Sequence, residues 1–259
     1  MLIREFIAEF EKKIPLDLQD DWDNSGWQLG DKDRELRQVL LCVDVTEDVI
    51  DQAIEFGANL IIAHHPILFR PTKSIDMDFF ISKKLIKAIK NDISIYACHT
   101  AIDVHESGLN SFVFKKMGFK SQDKLIYTLD NHGYGNLASF PSRKAWDLVD
   151  QIKERLDLDH VIFYGDEDRQ VAKVCLVTGA GSSFINQCLE AGVDMFITAD
   201  VGHHTAMDAL EQGMLVVDLG HYQSERFFNE LLEELIKKID PEIKTKMEIE
   251  GDKYLRKIL

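Results

Sequence analysis

Short apolar runs rich in β-branched residues alternate along this chain with segments whose apolar residues recur at helical spacing. Such alternation is typical of an α/β fold, in which helices cover a largely parallel sheet. The apolar runs predict strands at 39–45, 59–63, 93–98, 171–177, 194–198 and 214–218. The helical spacing predicts helices at 47–57, 79–90, 108–117, 143–156, 182–191, 204–212 and 223–238, whereas the segment 119–165 is less regular.

The two regular parts of this pattern resemble each other. A shift of 135 residues, without a gap, aligns segment 39–63 with segment 174–198 and matches Gly57 with Gly192. Any two strand–helix–strand units share such a rhythm, but we interpret the shared spacing as a duplication. We therefore predict two similar, intimately packed α/β lobes whose strand carboxyl ends meet at one cleft. The lobes cover residues 1–124 and 125–259, and the C-terminal end could pack back on the first lobe.

Charge and composition exclude several classes of function. The formal net charge is −15, and an acidic surface disfavours binding to nucleic acid, which needs clustered Lys and Arg. No apolar stretch approaches the roughly 18 residues of a membrane span. The N-terminal segment has helical spacing and lacks the apolar core of a signal peptide. The four cysteines stand singly, which favours reduced thiols in a cytoplasmic protein over disulfides or metal ligands.

Most histidines follow predicted strands, at the position where ligands gather in open parallel sheets. His64 and His65 would point to opposite faces of a continuing strand, but Pro66 ends regular pairing and lets both rings face one cleft. Imidazole is a common ligand of transition metals. The alternative is a pair of histidines that cap the strand through hydrogen bonds.

Carboxylates complete the predicted site. His221 and Glu225 lie about one helical turn apart if a helix begins near them, so both could bind one ion. An exposed His/Glu pair at a helix start is the alternative. Asp103 follows another strand, and a short oxygen ligand that bridges two cations suits a dinuclear site. We therefore predict five metal ligands: His64, His65, Asp103, His221 and Glu225.

Other polar residues near these motifs have two interpretations each. His99 is predicted to lie near the site and to move protons without binding metal, a role that His204 could share. Helix-start polarity is the alternative for His204, and His105 is expected on a solvated loop. The Asn-Ser pair at 24–25 either contacts substrate or belongs to a structural turn. The loop TGAGSS at 178–183 could hold an anion, but a tight turn is favoured because a P-loop lysine is lacking.

Six segments, in order, resemble the motifs of the YbgI-type dinuclear metal-centre proteins, also labelled GTP cyclohydrolase 1 type 2 homologues or Nif-three-like proteins. They are DNSGWQLG, VDVTEDVIDQAIEFGANLIIAHHPILF, YACHTAIDVHESGLN, VTGAGSS, DMFITADVGHHTAMDAL and VVDLGHYQSE. The family's ligands fall on the same five residues. The chain departs from the family at Ala101, Ala199 and the loop 131–138, and none of these changes removes a ligand.

The resemblance implies a two-lobed Nif-three-like fold, two divalent metal ions per chain and a ring-shaped homohexamer. Zn, Mn, Fe, Co and Ni all suit histidine and carboxylate ligands. We expect a metal-dependent, GTP cyclohydrolase-like hydrolase of a nucleotide-like or other small polar substrate. The alternative is a non-catalytic metal-binding or scaffold protein that forms a ring, because ligands of structural and catalytic metals look alike.

Overall fold

A computed structural model describes residues 1–249. These residues form two compact units. Unit 1 contains Met1–Ile102 together with the described residues from Phe228 onward, and unit 2 contains Asp103–Phe227. The second lobe expected from the sequence extends to residue 259, so its residues 250–259 lie outside the described part.

Helices and strands alternate as the apolar pattern predicts. Helices α1 to α10 span Ile3–Glu11, Glu47–Phe56, Phe80–Lys90, Thr100–Val104, Leu109–Lys116, Ala145–Leu156, Ile185–Glu190, His203–Glu211, His221–Glu225 and Phe228–Ile239. Strands β1 to β11 span Gly26–Leu29, Gln38–Cys42, Leu60–Ala63, Ser94–Ala97, Asp123–Leu129, His132–Lys144, Ile162–Tyr164, Gln170–Leu176, Met195–Thr198, Leu215–Asp218 and Lys244–Met247.

Unit 1 is built on a sheet with the strand order β1-β4-β3-β2-β11. The last four strands of this order are parallel, and β1 closes one edge antiparallel to β4. Strands β2, β3 and β4 are buried along nearly their whole length, as expected for parallel strands that are covered on both faces. Apolar residues of α2 and α3, such as Ile50 and Leu85, belong to the same core cluster as Leu40 and Ile61.

Unit 2 repeats this plan around a second sheet. Its strand order is β5-β6-β8-β9-β10-β7, in which β8, β9 and β10 are parallel and the short strand β7 is antiparallel to β10. Strands β5 and β6 form an antiparallel hairpin that extends the other edge. In both units, the carboxyl ends of three adjacent parallel strands therefore meet at one edge of the sheet.

Strand register supports the internal repeat. Val39 pairs with Leu60 in unit 1, and Val174 pairs with Met195 in unit 2. Both partners differ by the 135 residues that aligned the two sequence segments. The same offset relates β3 to β9, so the two strand–helix–strand segments are equivalent in structure as well as in sequence.

The register of the following strands corrects one detail of the repeat. Ala63 pairs with Ala97, and its equivalent Thr198 pairs with Asp218. Counting three residues on from Ala97 and from Asp218 makes Thr100, the first residue of α4, the repeat equivalent of His221, the first residue of α9. In the sequence, the equal spacing of His99 and Asp103 and of His221 and Glu225 predicts that His99 matches His221, which is one residue too early.

Local signals explain the helix boundaries. The Thr46 side chain accepts a hydrogen bond from the Val49 amide at the start of α2, and Gly57 ends that helix with a left-handed φ of 78°.

All four cysteines are buried, and none forms a disulfide in the described part of the chain. Within residues 1–249, no helix has both the length and the apolar character that a membrane crossing requires.

Two parts of the structure differ from the sequence prediction. The less regular segment 119–165 contains the β5–β6 hairpin, helix α6 and strand β7. The helix predicted over 223–238 is two helices, α9 and α10. At the break, the Arg226 guanidinium donates hydrogen bonds to the carbonyl oxygens of Leu156 and Asp157. The short helix α9 carries two of the predicted metal ligands.

Candidate metal centre

His64 and His65 lie directly after β3 in unit 1, where the structure brings their rings together. Their amides continue the ladder by donating to the carbonyl oxygens of Cys42 and Val43. The two ring centroids are 4.9 Å apart, and the His64 side chain is fully buried. Pro66 ends the strand, so the rings lie side by side although consecutive residues of a regular strand face opposite ways.

The hydrogen bonds of these two rings fix which nitrogen carries the proton. His64 Nδ1 donates to the Cys98 carbonyl oxygen at 3.0 Å, and His65 Nδ1 donates to Asp44 Oδ1 at 2.9 Å. Neither oxygen can donate in return, so the proton lies on Nδ1 and the ring lone pair lies on Nε2. Metal-bound histidines typically have such an oxygen partner on the other ring nitrogen. Asp44 was missed from the sequence, although it follows β2 as the histidines follow β3.

His99 lies in the same part of unit 1, two residues beyond β4. Its ring centroid is 5.1 Å from that of His64 and 5.4 Å from that of His65. One ligand atom from each of the three rings lies within 4.8 Å of the others, a spacing that could hold a metal ion. The structure therefore brings His99 to the predicted site, where both proton transfer and metal ligation are open to it.

Asp23 holds His99 and was missed from the sequence. Its Oδ1 accepts from His99 Nδ1 at 2.8 Å, and its Oδ2 accepts from the hydroxyl and the amide of Thr100 and from the Ser25 hydroxyl. The Asp23 side chain is fully buried. Burial opposes ionisation, but the hydrogen bonds, that of His99 first, hold the pKa of this carboxyl well below its usual range.

The Asn-Ser pair at 24–25 is part of this support. Ser25 Oγ donates to Asp23 and accepts from the His99 amide, and the Asn24 side chain donates to the Leu68 carbonyl. These bonds favour the structural turn over direct substrate contact. The signal in the sequence is the Asp that precedes Asn24, since an Asp that follows a turn can accept several nearby N–H and O–H groups.

An aromatic cleft borders His99 within unit 1. The Trp22 ring meets the His99 ring edge-on, with 5.8 Å between centroids, and Phe69 packs edge-on against both. Trp22 is 60% exposed although it is a large aromatic residue. The cleft measures about 590 Å³ and includes Asn24, Leu68 and Arg70 in its lining. It is large enough for a small molecule and offers apolar ring faces beside a polar centre.

His221 and Glu225 form the candidate ligand pair of unit 2, on the short helix α9. His221 Nε2 and Glu225 Oε2 are 3.1 Å apart across one helical turn, and the Glu225 side chain is buried. His221 Nδ1 donates to Asp200 Oδ2 at 2.7 Å. His221 Nε2, the ring nitrogen that this bond leaves for a metal, faces Glu225 Oε2. Asp200 follows β9 and occupies the position that the repeat makes equivalent to His65.

The loop after β8 supports this pair instead of binding an anion. Gly179 has a φ of 63°, and a Cβ at that position would overlap Glu225 Oε1. Its amide donates to Ser224 Oγ at 2.9 Å, and Ser224 Oγ donates to the His221 carbonyl. The interpretation of TGAGSS as a tight turn therefore agrees with the structure, because a buried carboxylate occupies the place that an anion would need.

Asp103 lies in helix α4, and a buried asparagine braces it. The fully buried Asn110 donates through Nδ2 to the Asp103 carbonyl at 3.1 Å and accepts from the Thr178 amide at 2.8 Å.

His204 is exposed at the second position of α8, with its ring 5.2 Å from that of His203. The catalytic role predicted for His204 gains no support from this position and stays a prediction.

Comparisons with known proteins agree with these features. A family model described as Duf34/NIF3 (NGG1p interacting factor 3) matches residues 1–252. A Streptococcus pneumoniae protein named GTP cyclohydrolase 1 type 2 homolog is 34% identical over 226 residues, which are 86% of this chain and 85% of the relative. The solved structure of a Bacillus cereus protein related to NIF3 has a TM-score of 0.91 and 24% identity, and covers 100% of this chain and 99% of its own. Protein ybgI, of unknown function, has a TM-score of 0.84 and 24% identity, with coverage of 97% and 99%.

The fold and the polar strand ends define the class: an α/β protein with two sheets and clustered His and Glu residues that could bind metal. The chain belongs to the Duf34/NIF3 family. The predicted resemblance and the predicted fold class are thereby confirmed. Imidazoles whose Nδ1 bonds an oxygen, together with buried carboxylates, are a donor set that fits divalent transition metals.

Proposed function

We propose that the protein binds two divalent metal ions per chain through the five residues that the family resemblance implies. The observation that carries the proposal is the shared hydrogen bonding of the three histidines among them. In His64, His65 and His221, Nδ1 bonds an oxygen, which leaves Nε2 as the ring nitrogen that can bind a metal. Histidines that only cap a strand have no need to bond through the same ring nitrogen. Asp103 and Glu225 supply the carboxylates, and both are buried.

The same centre supports metal-dependent hydrolysis. When bound, divalent cations supply Lewis-acid activation of the substrate and of water. His99 accepts and returns a proton at Nε2, because its hydrogen bond to Asp23 keeps the proton of the other nitrogen in place. Asp23 acts through His99 and is therefore a positioning residue.

The substrate class that fits is nucleotide-like. Trp22 and Phe69 offer apolar ring faces in the cleft beside His99, where a planar base can stack. The name carried by the relatives makes GTP the first substrate to test. Phosphate esters that lack a base are the second group, because the Lewis-acid chemistry applies to them as well.

Elemental analysis tests the metal site directly. Protein purified without added metal is expected to contain about two ions per chain, and His65→Ala and Glu225→Gln are expected to lower that number. His160→Asn, at an exposed position, is the matched control and should leave the content unchanged. Circular dichroism on each variant checks that it folds. Less than one ion per chain, with no effect of His64→Ala, contradicts the proposal.

Turnover tests the enzymatic part separately. The metal-loaded protein is expected to act on GTP or on a member of a phosphoester panel, in a manner that depends on both His65 and Glu225. Asp23→Asn is expected to lower kcat more than it lowers metal content, since it weakens the bonds that hold His99 and Thr100 and leaves the five proposed ligands in place. Metal binding without any such turnover would favour the non-catalytic metal-binding or scaffold role instead.

The proposal extends to self-association as a homohexameric ring, which rests on the family resemblance alone. Light scattering should then give a mass near that of six copies of the 29.7 kDa chain. A monomer or dimer at micromolar concentration would contradict this extension and leave the metal site unaffected.

A further inference from the structure

A second group of polar side chains lies in unit 2 and is not used by the metal proposal. His105 follows α4, and His132 begins β6. Their rings lie 4.8 Å apart between centroids at an angle of 37°, and both residues are half-buried. His105 lies on a loop, as the sequence predicts, but its ring is half-buried against a second histidine from a hairpin 27 residues away.

Backbone amides of one turn hold both rings by Nδ1. The Ser107 amide donates to His105 Nδ1 at 3.1 Å, and the Glu106 amide donates to His132 Nδ1 at 3.0 Å. An N–H group needs a lone pair to donate to, so each neutral ring carries its proton on Nε2. Both Nε2–H groups point away from the 106–107 backbone. Among the residues that the structure describes, neither has an acceptor.

This arrangement reverses that of the proposed metal ligands. His64, His65 and His221 bond oxygens through Nδ1, which leaves Nε2 as the nitrogen that can bind a cation. His105 and His132 accept at Nδ1 and present an N–H, which offers nothing to a cation but can donate to an anion. The chain thus holds two kinds of histidine group with opposite ligand preference.

Lys124 adds a positive charge to the same turn. It lies in β5 opposite Asn136 of β6, and its ammonium donates to Asn136 Oδ1 at 2.7 Å and to Ser111 Oγ at 3.3 Å. Ser111 Oγ in turn donates to the Glu106 carbonyl at 2.6 Å, which ties Lys124 to the turn that holds both rings.

The ammonium of Lys124 has capacity for one more partner. Lys124 is buried and, within residues 1–249, donates two hydrogen bonds although it has three N–H groups. Burial lowers the pKa of Lys124 to about 8, so its charged form lacks solvation that a nearby anion would replace.

We propose that His105, His132 and Lys124 form a binding site for a phosphate group. Three N–H donors around one turn match the several acceptor oxygens of a phosphate, and the bond from the ammonium is charge-assisted. A carboxylate has only two oxygens to offer. The phosphate is either inorganic or part of a nucleotide, and the inference does not require metal to be bound.

Phosphate titration of the full chain tests the site, followed by calorimetry or by 31P NMR. The variants are His105→Asn and His132→Asn, because an Asn side-chain oxygen can take over the role of Nδ1 while the Nε2–H is lost. Each is expected to weaken phosphate binding about tenfold or more. His160→Asn is the matched control and should bind as the wild type does. Equal binding by all four proteins, or none by the wild type, overturns the proposal.

A chelation arm separates this site from the metal centre. Phosphate binding that survives removal of metal, in protein that remains folded by circular dichroism, supports the site. Binding that vanishes on chelation while His105→Asn and His132→Asn bind normally belongs to the metals and overturns it. A chain that contains no metal but binds phosphate through His105 and His132 would contradict the proposed function and would still support this inference.

Two further arms identify the source of the phosphate. A nucleoside monophosphate that competes with inorganic phosphate, while the uncharged nucleoside does not, shows that the site accepts a nucleotide. Glu106→Gln is expected to tighten binding several-fold, because it removes the carboxylate that follows His105 in the chain. Weaker binding by Glu106→Gln would contradict an anion at this turn.

Discussion

Gly179 shows how one backbone position shapes the candidate site at the scale of a residue. It adopts a left-handed conformation and comes so close to Glu225 that it leaves no room for a side chain. Gly192 has nearly the same φ, 66°, but a Cβ there would meet nothing within 4 Å. The two glycines share the conformational requirement and differ only in the contact with the carboxylate.

We therefore expect Gly179→Ala to have two effects where Gly192→Ala has one. Both should lose roughly 1–2 kcal/mol of unfolding free energy, because an L-residue in the left-handed region is strained. Gly179→Ala should lose more and should also lower the metal content, since Glu225 must move. Urea denaturation and elemental analysis measure the two effects. Equal stability and equal metal content in the two variants would rule out this role for Gly179.

Lys124 makes stability depend on pH in a defined direction. Its folded pKa, about 8, lies below the ordinary value of 10.5. Between these values the unfolded chain binds more protons, so stability rises with pH, by about 3 kcal/mol in all. Lys124→Met should remove this rise in urea denaturation curves measured from pH 8 to 10.5. If wild type and variant run parallel over that range, the amine is not perturbed.

At the scale of elements, the buried parallel strands were predictable, whereas the edge strands and the hairpin strand β6 were not. The sequence predicts six strands from its apolar runs, and the structure contains a buried strand at each of them: β2, β3, β4, β8, β9 and β10. Strands β1, β5, β7 and β11 lie at sheet edges, where a strand is half-exposed and carries polar residues such as Gln28, Lys124 or Lys246. Their apolar signal is therefore weak, and only pairing with a neighbour strand defines them.

Asn110 joins three elements through one buried amide. It connects the carbonyl of Asp103 in α4 and the amide of Thr178 after β8 to helix α5. Asn110→Leu leaves both backbone groups buried without these partners, so we expect a loss of roughly 2–4 kcal/mol in unfolding free energy. Asn91→Leu is the control, because the amide of Asn91 is exposed and bonds only the Lys87 carbonyl one turn away. A similar loss in both variants would contradict the bracing role.

At the scale of the whole molecule, sequence reasoning found the candidate ligands but not what orients them. His64, His65 and His221 stand out because the chain has only nine histidines and their spacing is distinctive. Asp23 and Asp44 do not, because they are two of many acidic residues in a chain of net charge −15. Only the folded chain shows that each carboxylate meets an imidazole.

The orientation of the rings leads to a prediction that covers the histidines of both units. The pattern of hydrogen bonds assigns the Nδ1–H tautomer to His64, His65 and His99, because each donates to an oxygen, and the Nε2–H tautomer to His105 and His132, because each accepts from an amide. Nitrogen chemical shifts of histidine-labelled protein distinguish the two tautomers, in solution or in the solid state. Added metal should shift Nε2 of the proposed ligands His64, His65 and His221 and leave His105 and His132 unchanged, whereas phosphate should act on His105 and His132. A single tautomer throughout, or a response of both groups to both ligands, would contradict the division, since a ring can present either a lone pair or a proton at Nε2 but not both.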